Sequence, residues 1–329
     1  MAAPMIPPAG ADAFLDAAGW GGAAVAPLAG DASFRRYFRV TRGAETAVLM
    51  DAPPPHEDPR PFVHIAEYLT GIGLAAPRIL ARDLEAGLLL IEDFGGDRMR
   101  EAVDARPERE MEIYAGVTDV LAALHGHAPP PGLKPHGLDA WLEEVQLFTD
   151  WYCPAVGIEA DKPGFLAAFE QVLAPVDAQG QTVTELRDFH AENVMLLPDR
   201  GGPARFGLLD FQDALIGHPA YDLASMLQDA RRDVSPEVER AMLQRYGGDA
   251  DFEAAYWALA AQRNTRIIGV FTRLWKRDGK PHYTRFQPRM WGLLERDLAH
   301  PGLHPVKSWF DTNVPADKRA AIWETLGRE

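Results

Sequence analysis

The segment from Arg187 to Phe211 constrains the fold most, because polar side chains stand before the first strand and after the second strand of a short hairpin. It begins RDFHAENVMLL and ends RFGLLDF, with the turn-forming sequence PDRGGP between the two apolar stretches. Short apolar runs separated by a proline- and glycine-rich turn predict two paired strands. A hairpin reverses direction, so Asn193 and Asp210 are expected at one end of it, and Asp188 precedes Asn193 closely.

This end of the hairpin indicates phosphoryl-transfer chemistry. Carboxylate and amide oxygens suit Mg2+, which also takes phosphate oxygens and water as ligands. The reaction needs a separate carboxylate that orients the acceptor hydroxyl and accepts its proton. The spacing Asp-x4-Asn, followed by Asp-Phe at the end of a strand, matches the kinase signature. Alone, Asp and Asn are also common in turns, and Asp213 and Asp222 have turn and helix N-cap roles as alternatives.

The remaining sequence predicts a small β-rich region followed by a larger helical region. Residues 34–50 and 77–94 each predict two strands, with a helix over 62–70 between them. Apolar residues at helical spacing in MEIYAGVTDVLAAL predict a helix there. Further helices are expected over residues 138–150, 163–175, 219–230, 236–246 and 252–275, and the hairpin strands are the only strands expected in this half of the chain. We therefore expect a β-rich domain over residues 1–94 and a helical domain over residues 95–329.

Composition limits the partners and the compartment. The chain has 329 residues, of which 47% are hydrophobic, and a formal net charge of -15. This charge argues against general binding to nucleic acid or to an anionic membrane. Cys153 is the single cysteine, so no intramolecular disulfide is expected, and no apolar run is long enough to span a bilayer. A cytoplasmic protein is predicted.

The motifs carry a family resemblance. Residues 184–231 resemble the aminoglycoside phosphotransferase and choline-kinase-like family, which has a protein-kinase-like fold. More closely, the chain is similar to the bacterial N-acetylmuramate/N-acetylglucosamine kinases in the segments SFRRYFRV, VLMDAPP, LIEDFGGD, LRDFHAENVMLLP, LLDFQDA, YDLASMLQDAR and KRDGKPHY. The resemblance implies an α+β, bilobal fold with a β-rich N-terminal lobe over the nucleotide and a helical C-terminal lobe for the acceptor. It also implies ATP and Mg2+ as cofactors, and phosphorylation of the anomeric hydroxyl of these sugars in cell-wall recycling.

The same resemblance implies roles for individual residues. Asp188 would be the catalytic base, and Asn193 and Asp210 would hold magnesium. Glu92, Asp93 and Phe94 would form the hinge whose backbone groups receive adenine. Contacts to the acceptor sugar are expected from His190, Asp213, Asp229 and Arg231.

The chain departs from the family pattern at two places. Many family members have His-Gly-Asp where this chain has Leu186-Arg187-Asp188, and the second departure, a missing lysine, is larger. Kinases of this fold usually carry a lysine on the third strand that contacts the α- and β-phosphates. The matching strand AVLMDAPP has Met50 near that position, and the first lysine of the chain is Lys134. An arginine must therefore supply the charge if this lobe neutralises phosphate.

Three arginines are candidates for this charge. Arg35, Arg36 and Arg39 follow a turn at Gly30–Ser33, where a nucleotide-covering loop is expected. In an extended strand Arg36 faces opposite to Arg35 and Arg39, so only one face can point at ATP. Arg36 is preferred and Arg35 is the alternative.

The acceptor side is predicted from a basic segment, QRNTRIIGVFTRLWKRDGKPHY, over residues 262–283. Helical spacing places Arg266, Arg273 and Arg277 near one face, with Arg263 one turn before Arg266. Such a face, with Arg266 as its first candidate, would recognise an anion such as the lactyl carboxylate of N-acetylmuramate. A solvated helix face paired with acids is the alternative.

Two other functions stay open. Phosphorylation of a cationic acceptor, such as an aminoglycoside or choline, is compatible with the net charge of -15 but not with the basic segment. A catalytically inactive kinase-like binding protein would explain the missing lysine. Retention of Asp188, Asn193 and Asp210 argues against it.

Overall fold

The computed structural model describes residues 6–28, 34–180 and 182–323. The chain divides into two compact units. The β-rich unit comprises Met1–Arg109 and Glu192–Ala214, and the helical unit comprises Glu110–Ala191 and Leu215–Glu329. The hairpin that contains Asn193 thus belongs to the β-rich unit, far from its other strands in sequence. The turn predicted at Gly30–Ser33 lies outside the described residues.

The described residues contain strands and helices in the proportions expected of an α+β fold. The strands are β1 Ala24–Pro27, β2 Arg36–Arg42, β3 Glu45–Asp51, β4 Ile79–Asp83, β5 Leu88–Glu92, β6 Val183–Glu185, β7 Val194–Leu196, β8 Phe206–Leu208 and β9 Leu215–Gly217. The helices are α1 Ala11–Ala17, α2 Arg60–Gly71, α3 Met99–Ala105, α4 Glu110–His125, α5 Leu138–Leu147, α6 Cys153–Ala155, α7 Lys162–Asp177, α8 Ala220–Leu227, α9 Pro236–Tyr246, α10 Ala250–Lys276, α11 Gln287–Leu298 and α12 His304–Asn313. No helix in this part of the chain is long and apolar enough to cross a membrane.

A five-stranded antiparallel sheet organises the β-rich unit, in the order β1-β2-β3-β5-β4. Alternate residues of a strand face the same side, which places Phe38 and Val40 on one face with Leu49 and Leu90. This face packs against α1 through Leu15 in one apolar cluster. Arg36 has the same parity as Phe38 and therefore belongs to the face that α1 covers.

The predicted hairpin is confirmed as β7 and β8, which pair with Val194 opposite Leu208. It joins the rest of the β-rich unit through bridges from Ala75 to Gly207 and from Arg98 to Met195. A Cβ atom at Gly207 would lie 2.6 Å from the ring of Phe94, so any larger residue at this point of the strand would have to displace that ring.

The helical unit is built around α10, which packs against α5, α8 and α11. The predicted helices in this region are confirmed with boundaries shifted by a few residues, and α5 continues into a π-helical turn over Phe148–Tyr152. The prediction that only the hairpin strands occur in this half was wrong, because β6 pairs antiparallel with β9. Strands of three residues are too short to show alternation in sequence.

Candidate active site

The β-rich unit brings Asn193 and Asp210 together at the open end of the β7–β8 hairpin. The Leu209 amide donates to the Asn193 carbonyl at 2.9 Å, which closes the hairpin. The next residue, Asp210, has a φ of 57°, and this left-handed backbone turns its side chain toward Asn193. The Asn193 Nδ2 atom lies 3.4 Å from Asp210 Oδ2. Local strand pairing therefore creates a site with an amide and a carboxylate side by side.

The donor set at this hairpin end fits a magnesium ion. Asp210 is partly open, with its side chain 31% exposed, and offers hard carboxylate oxygens beside the Asn193 amide. Among the described residues no group of three or more His, Cys, Asp or Glu side chains could enclose a metal. Magnesium bound with few protein ligands and with phosphate oxygens suits such an open site.

Asp210 is also contacted by two donors from the same unit. Gln212 Nε2 donates to Asp210 Oδ1 at 2.9 Å, and Arg35 Nη2 donates to the same oxygen at 3.4 Å. The Arg35 side chain is only 10% exposed. A buried guanidinium thus lies beside the candidate metal ligand, in a lobe without lysine.

The two neighbouring arginines have other partners. Arg36 Nε donates to Asp51 Oδ2 at 2.7 Å, across the β2–β3 pair. Arg39 Nε donates to Asp93 Oδ2 at 2.7 Å, and its Nη2 donates to the Gly95 carbonyl at 3.0 Å. Arg39 therefore orders the predicted hinge, whose Asp93 carboxylate is held by this pair.

Two further arginines, Arg78 and Arg200, contact the side chains of the other hinge residues. Glu92 pairs with Arg78 at 3.1 Å and with Arg200 at 2.5 Å. The Arg200 guanidinium lies over the Phe94 ring, 5.2 Å from its centroid. The Glu92 amide also donates to the Arg78 carbonyl at 2.9 Å. The adenine-binding role of Glu92, Asp93 and Phe94 stays a prediction.

In the helical unit, the backbone just before Asp188 is held by a buried carboxylate. Asp222 accepts the Leu186 amide at 2.6 Å and the Arg187 amide at 2.9 Å. Ser225 Oγ donates to the Arg187 carbonyl at 3.2 Å. Arg187 has a φ of 65°, a conformation that costs a non-glycine residue about 1–2 kcal/mol. The α8 helix thus imposes a strained turn that aims Asp188.

Asp222 corrects one alternative reading of the sequence. It is not a helix N-cap: it lies inside α8, where Pro219 occupies the cap position, and it is fully buried. Burial raises the pKa of Asp222, against the effect of the two amides that it accepts. The sequence contained a signal for this role, because Asp222 stands within the apolar stretch AYDLASML. An acid is rarely buried in such a stretch unless it has hydrogen-bond or charge partners.

Asp188 itself lies in a positive electrostatic environment. Burial would raise the pKa of Asp188, but the charges of His190, Arg266 and Arg263 outweigh it, so the pKa is lowered. Burial lowers the pKa of His190, whose Nε2 lies 3.3 Å from Arg231 Nη1. The arginines therefore carry the permanent charge, which keeps Asp188 ionised and able to accept a hydrogen bond from a hydroxyl.

The helical unit gathers most of the predicted acceptor residues around this loop. Asp229 Oδ2 accepts the Ala191 amide at 3.3 Å, and its Oδ1 accepts the Arg231 amide at 2.8 Å. Asp229 thus links Arg231 to Ala191, and Ala191 lies three residues after Asp188 in the same segment as His190. Asp213 belongs to the β-rich unit, where Gln212 donates to it at 3.1 Å.

A second buried network, which was not predicted, supports the segment from Arg187 to Ala191. This segment carries the predicted base Asp188 and is called the catalytic loop for that reason. His136 Nδ1 lies 2.7 Å from Glu185 Oε1, and its Nε2 lies 3.3 Å from Glu144 Oε2. Glu144 also pairs with Arg187 and with Arg266. Burial would raise the pKa of Glu144, but the hydrogen bond from His136 and the charges of its partners lower it to about 2. One carboxylate thus balances two arginines and a histidine.

The fold and these residues define a phosphotransferase of the protein-kinase-like fold. Residues 24–258 match the phosphotransferase enzyme family, and the chain belongs to that family. The resemblance and the α+β fold predicted from the sequence are thereby confirmed.

Two relatives match almost the whole chain. The chain is 39% identical to the N-acetylmuramate/N-acetylglucosamine kinase of Caulobacter vibrioides, over 93% of this chain and 96% of the relative. It is 37% identical to the protein of the same name from Pseudomonas aeruginosa, over 86% and 87% of the two chains.

Solved structures share the fold at low sequence identity. A choline/ethanolamine kinase family protein from Mesorhizobium loti superposes with a TM-score of 0.61 at 15% identity, over 93% of this chain and 98% of the other. An aminoglycoside phosphotransferase from Streptomyces rimosus, in complex with ADP and streptomycin, gives 0.54 at 19% identity, over 77% and 96%. These neighbours support the kinase fold.

Proposed function

We propose that this phosphotransferase uses ATP and Mg2+ to phosphorylate N-acetylmuramate and N-acetylglucosamine at the anomeric hydroxyl, in cytoplasmic recycling of cell-wall sugars. The observation that carries the proposal is the 39% identity to a kinase named for these two sugars, over 96% of that relative. Residues 1–94 would cover the nucleotide, and residues 95–329 would contain the catalytic loop and bind the acceptor.

On the donor side, Asn193 and Asp210 would hold the magnesium ion. Bound there, the ion would neutralise charge on the β- and γ-phosphates of ATP. Arg35, already beside Asp210, supplies the positive charge that the missing lysine gives in other kinases, and we prefer it to Arg36. The hinge backbone at Glu92, Asp93 and Phe94 receives adenine.

On the acceptor side, Asp188 orients the sugar hydroxyl and accepts its proton as the phosphoryl group transfers. The lowered pKa of Asp188 keeps the carboxylate ready for this hydrogen bond. Arg187, Arg263 and Arg266 give the loop a positive environment. Glu144 pairs with Arg187 and Arg266 but not with Arg263, whose charge disfavours a cationic acceptor, such as an aminoglycoside or choline, by like-charge repulsion.

Product formation in the presence of four acceptors tests the proposal. ADP release with MgATP is measured with N-acetylmuramate, N-acetylglucosamine, kanamycin and choline, and the product is identified by phosphorus NMR. An anomeric sugar phosphate from the acetylated amino sugars is expected. Turnover with kanamycin or choline alone would establish the cationic alternative. ATP binding without turnover on any acceptor would favour an inactive binding protein.

The role of Asp188 is tested separately from the choice of acceptor. Asp188→Asn keeps the shape of the side chain but removes the base, so turnover is expected to fall at least about a hundredfold. ATP affinity, measured by calorimetry, is expected to stay within about threefold. Asp199→Asn is the matched control, because Asp199 is exposed in the hairpin turn and should keep full activity. Loss of ATP binding together with turnover in Asp188→Asn would show a structural role for Asp188.

A further inference from the structure

The arginines of the basic segment differ in how their charge is balanced. Arg266 Nε lies 3.3 Å from Glu144 Oε2, in the network that also holds Arg187. Arg277 follows α10, is exposed, and pairs with Asp278 at 2.7 Å. Carboxylates of the same chain therefore already pair with two of the arginines that were predicted to bind an anion.

Arg263 differs from both, because no carboxylate of the described chain pairs with it. It is only 4% exposed. Its Nη1 reaches the Gln228 carbonyl at 3.5 Å, and its Nε has no hydrogen-bond partner among the described residues. A buried guanidinium with unfilled donors is costly, and such groups are normally paired or bind an anion. Burial lowers the pKa of Arg263, with Tyr221, Asp188 and Asp229 opposing that shift. Arginine nevertheless remains charged.

The surroundings of Arg263 belong to the acceptor side of the helical unit. Its partner Gln228 precedes Asp229, which accepts the Ala191 amide at 3.3 Å from the end of the catalytic loop. Its neighbour Gln262 donates to Glu144 at 3.4 Å, and Glu144 holds Arg187 at the start of that loop. The turn of α10 that carries Arg263 therefore contacts Gln228, next to Asp229, and Glu144. Asp229 and Glu144 hold the catalytic loop after and before Asp188, respectively.

We propose that Arg263 is the specificity-determining residue of the acceptor site and binds the carboxylate that N-acetylmuramate has and N-acetylglucosamine lacks. The inference rests on the proposed function, because it assigns a residue to one of its two substrates. A guanidinium with free donors suits a carboxylate, which accepts two parallel hydrogen bonds. N-acetylglucosamine leaves Arg263 as it is in the free protein, so this sugar reacts without the contact.

The test compares the two sugars in one variant. Arg263→Gln is expected to lower kcat/KM for N-acetylmuramate by about ten- to hundredfold, the usual effect of losing a hydrogen bond to a charged group. For N-acetylglucosamine the loss is expected to be at least about fivefold smaller, because only the effect of the Arg263 charge on Asp188 is removed. Arg263→Lys keeps the charge without the fork and should recover part of the loss. Arg277→Gln removes a charge from the same basic segment and should leave the ratio of the two values unchanged.

A neutral substrate gives a second measurement, which can be made on the wild-type protein even if Arg263→Gln does not fold. The methyl ester of N-acetylmuramate keeps the shape of the lactyl group but not its charge. The wild-type protein is expected to lose about as much on the ester as Arg263→Gln loses on the acid, and the variant should treat acid and ester alike. Equal loss on both sugars in Arg263→Gln would overturn the inference and indicate a structural or phosphoryl-binding role. Equal wild-type activity on acid and ester would also overturn it. Lack of wild-type activity on either sugar would instead reject the proposed function.

Discussion

Arg35 and Asp210 form an ion pair in the β-rich unit, with Nη2 3.4 Å from Oδ1, although 175 positions separate them in sequence. Asp210 is the carboxylate proposed to bind magnesium, so the arginine lies where phosphate charge would be. Arg36 is more exposed, is engaged by Asp51, and shares its strand face with Phe38 under α1. The structure therefore favours Arg35 over Arg36 as the substitute for the missing lysine.

Removal of Arg35 is expected to weaken use of ATP. Arg35→Ala should lower kcat/KM for MgATP by about a hundredfold, because a preorganised positive charge beside the phosphates is lost. Arg35→Lys should restore part of it. Steady-state rates at varied MgATP measure the effect, and Arg82→Gln, which removes an exposed arginine of the same unit, should match the wild type. A large defect in Arg36→Ala with none in Arg35→Ala would return the role to Arg36.

The buried His136 network predicts a pH dependence of stability. Burial would lower the pKa of His136, but the charge of Glu185 and the hydrogen bonds to Glu144 and Glu185 raise it to about 9. The folded pKa therefore exceeds the unfolded value of about 6.5. Protonated His136 contributes stability that is complete below pH 6.5 and is lost as the pH rises toward 9, by about 3 kcal/mol in all.

Urea unfolding at several pH values checks this expectation. The free energy of unfolding of the wild type should fall between pH 6.5 and 9, and His136→Gln should show a flatter curve over the same range. His304→Gln, which removes an exposed histidine, is the control and should keep the wild-type slope. Parallel curves for wild type and His136→Gln would mean that the network does not hold a proton on His136.

Replacement by alanine is expected to have opposite effects on stability at two glycines of the helical unit. Gly269 lies where α10 contacts the end of α5, and Gly292 lies in open space. A Cβ atom at Gly269 would lie 2.4 Å from the Leu147 carbonyl carbon and 2.6 Å from the Phe148 amide nitrogen. Backbone atoms cannot move aside as a side chain does, so Gly269→Ala should destabilise by about 1–3 kcal/mol or more. Gly292 in α11 has open space around it, so Gly292→Ala should stabilise by up to about 1 kcal/mol.

Chemical denaturation of the two variants measures these changes directly. Both variants replace glycine by alanine, so the difference between their free energies of unfolding reports the local packing of each helix. A stability of Gly269→Ala equal to that of the wild type would show that α10 and α5 do not approach as closely as the structure indicates.

The sequence by itself determined the β7–β8 hairpin and the class of fold. Asp188, Asn193 and Asp210 could be recognised because the turn PDRGGP and its flanking apolar strands are local features, and strand reversal alone brings Asn193 to Asp210. The helices over 236–246 and 252–275 were predictable for the same reason, since helical periodicity is written in neighbouring residues.

Only the tertiary structure decided which charges meet. The sequence could show that Arg36 faces opposite to Arg35, but not that α1 covers the side that carries Arg36. Nor could it show that Asp222 holds the backbone before Asp188, or that Glu144 pairs with Arg266 and leaves Arg263 without a carboxylate. These partners are distant in sequence, and burial makes their pairing decisive: a charge that loses water must find a partner in space, and the packing of the helices and strands selects it.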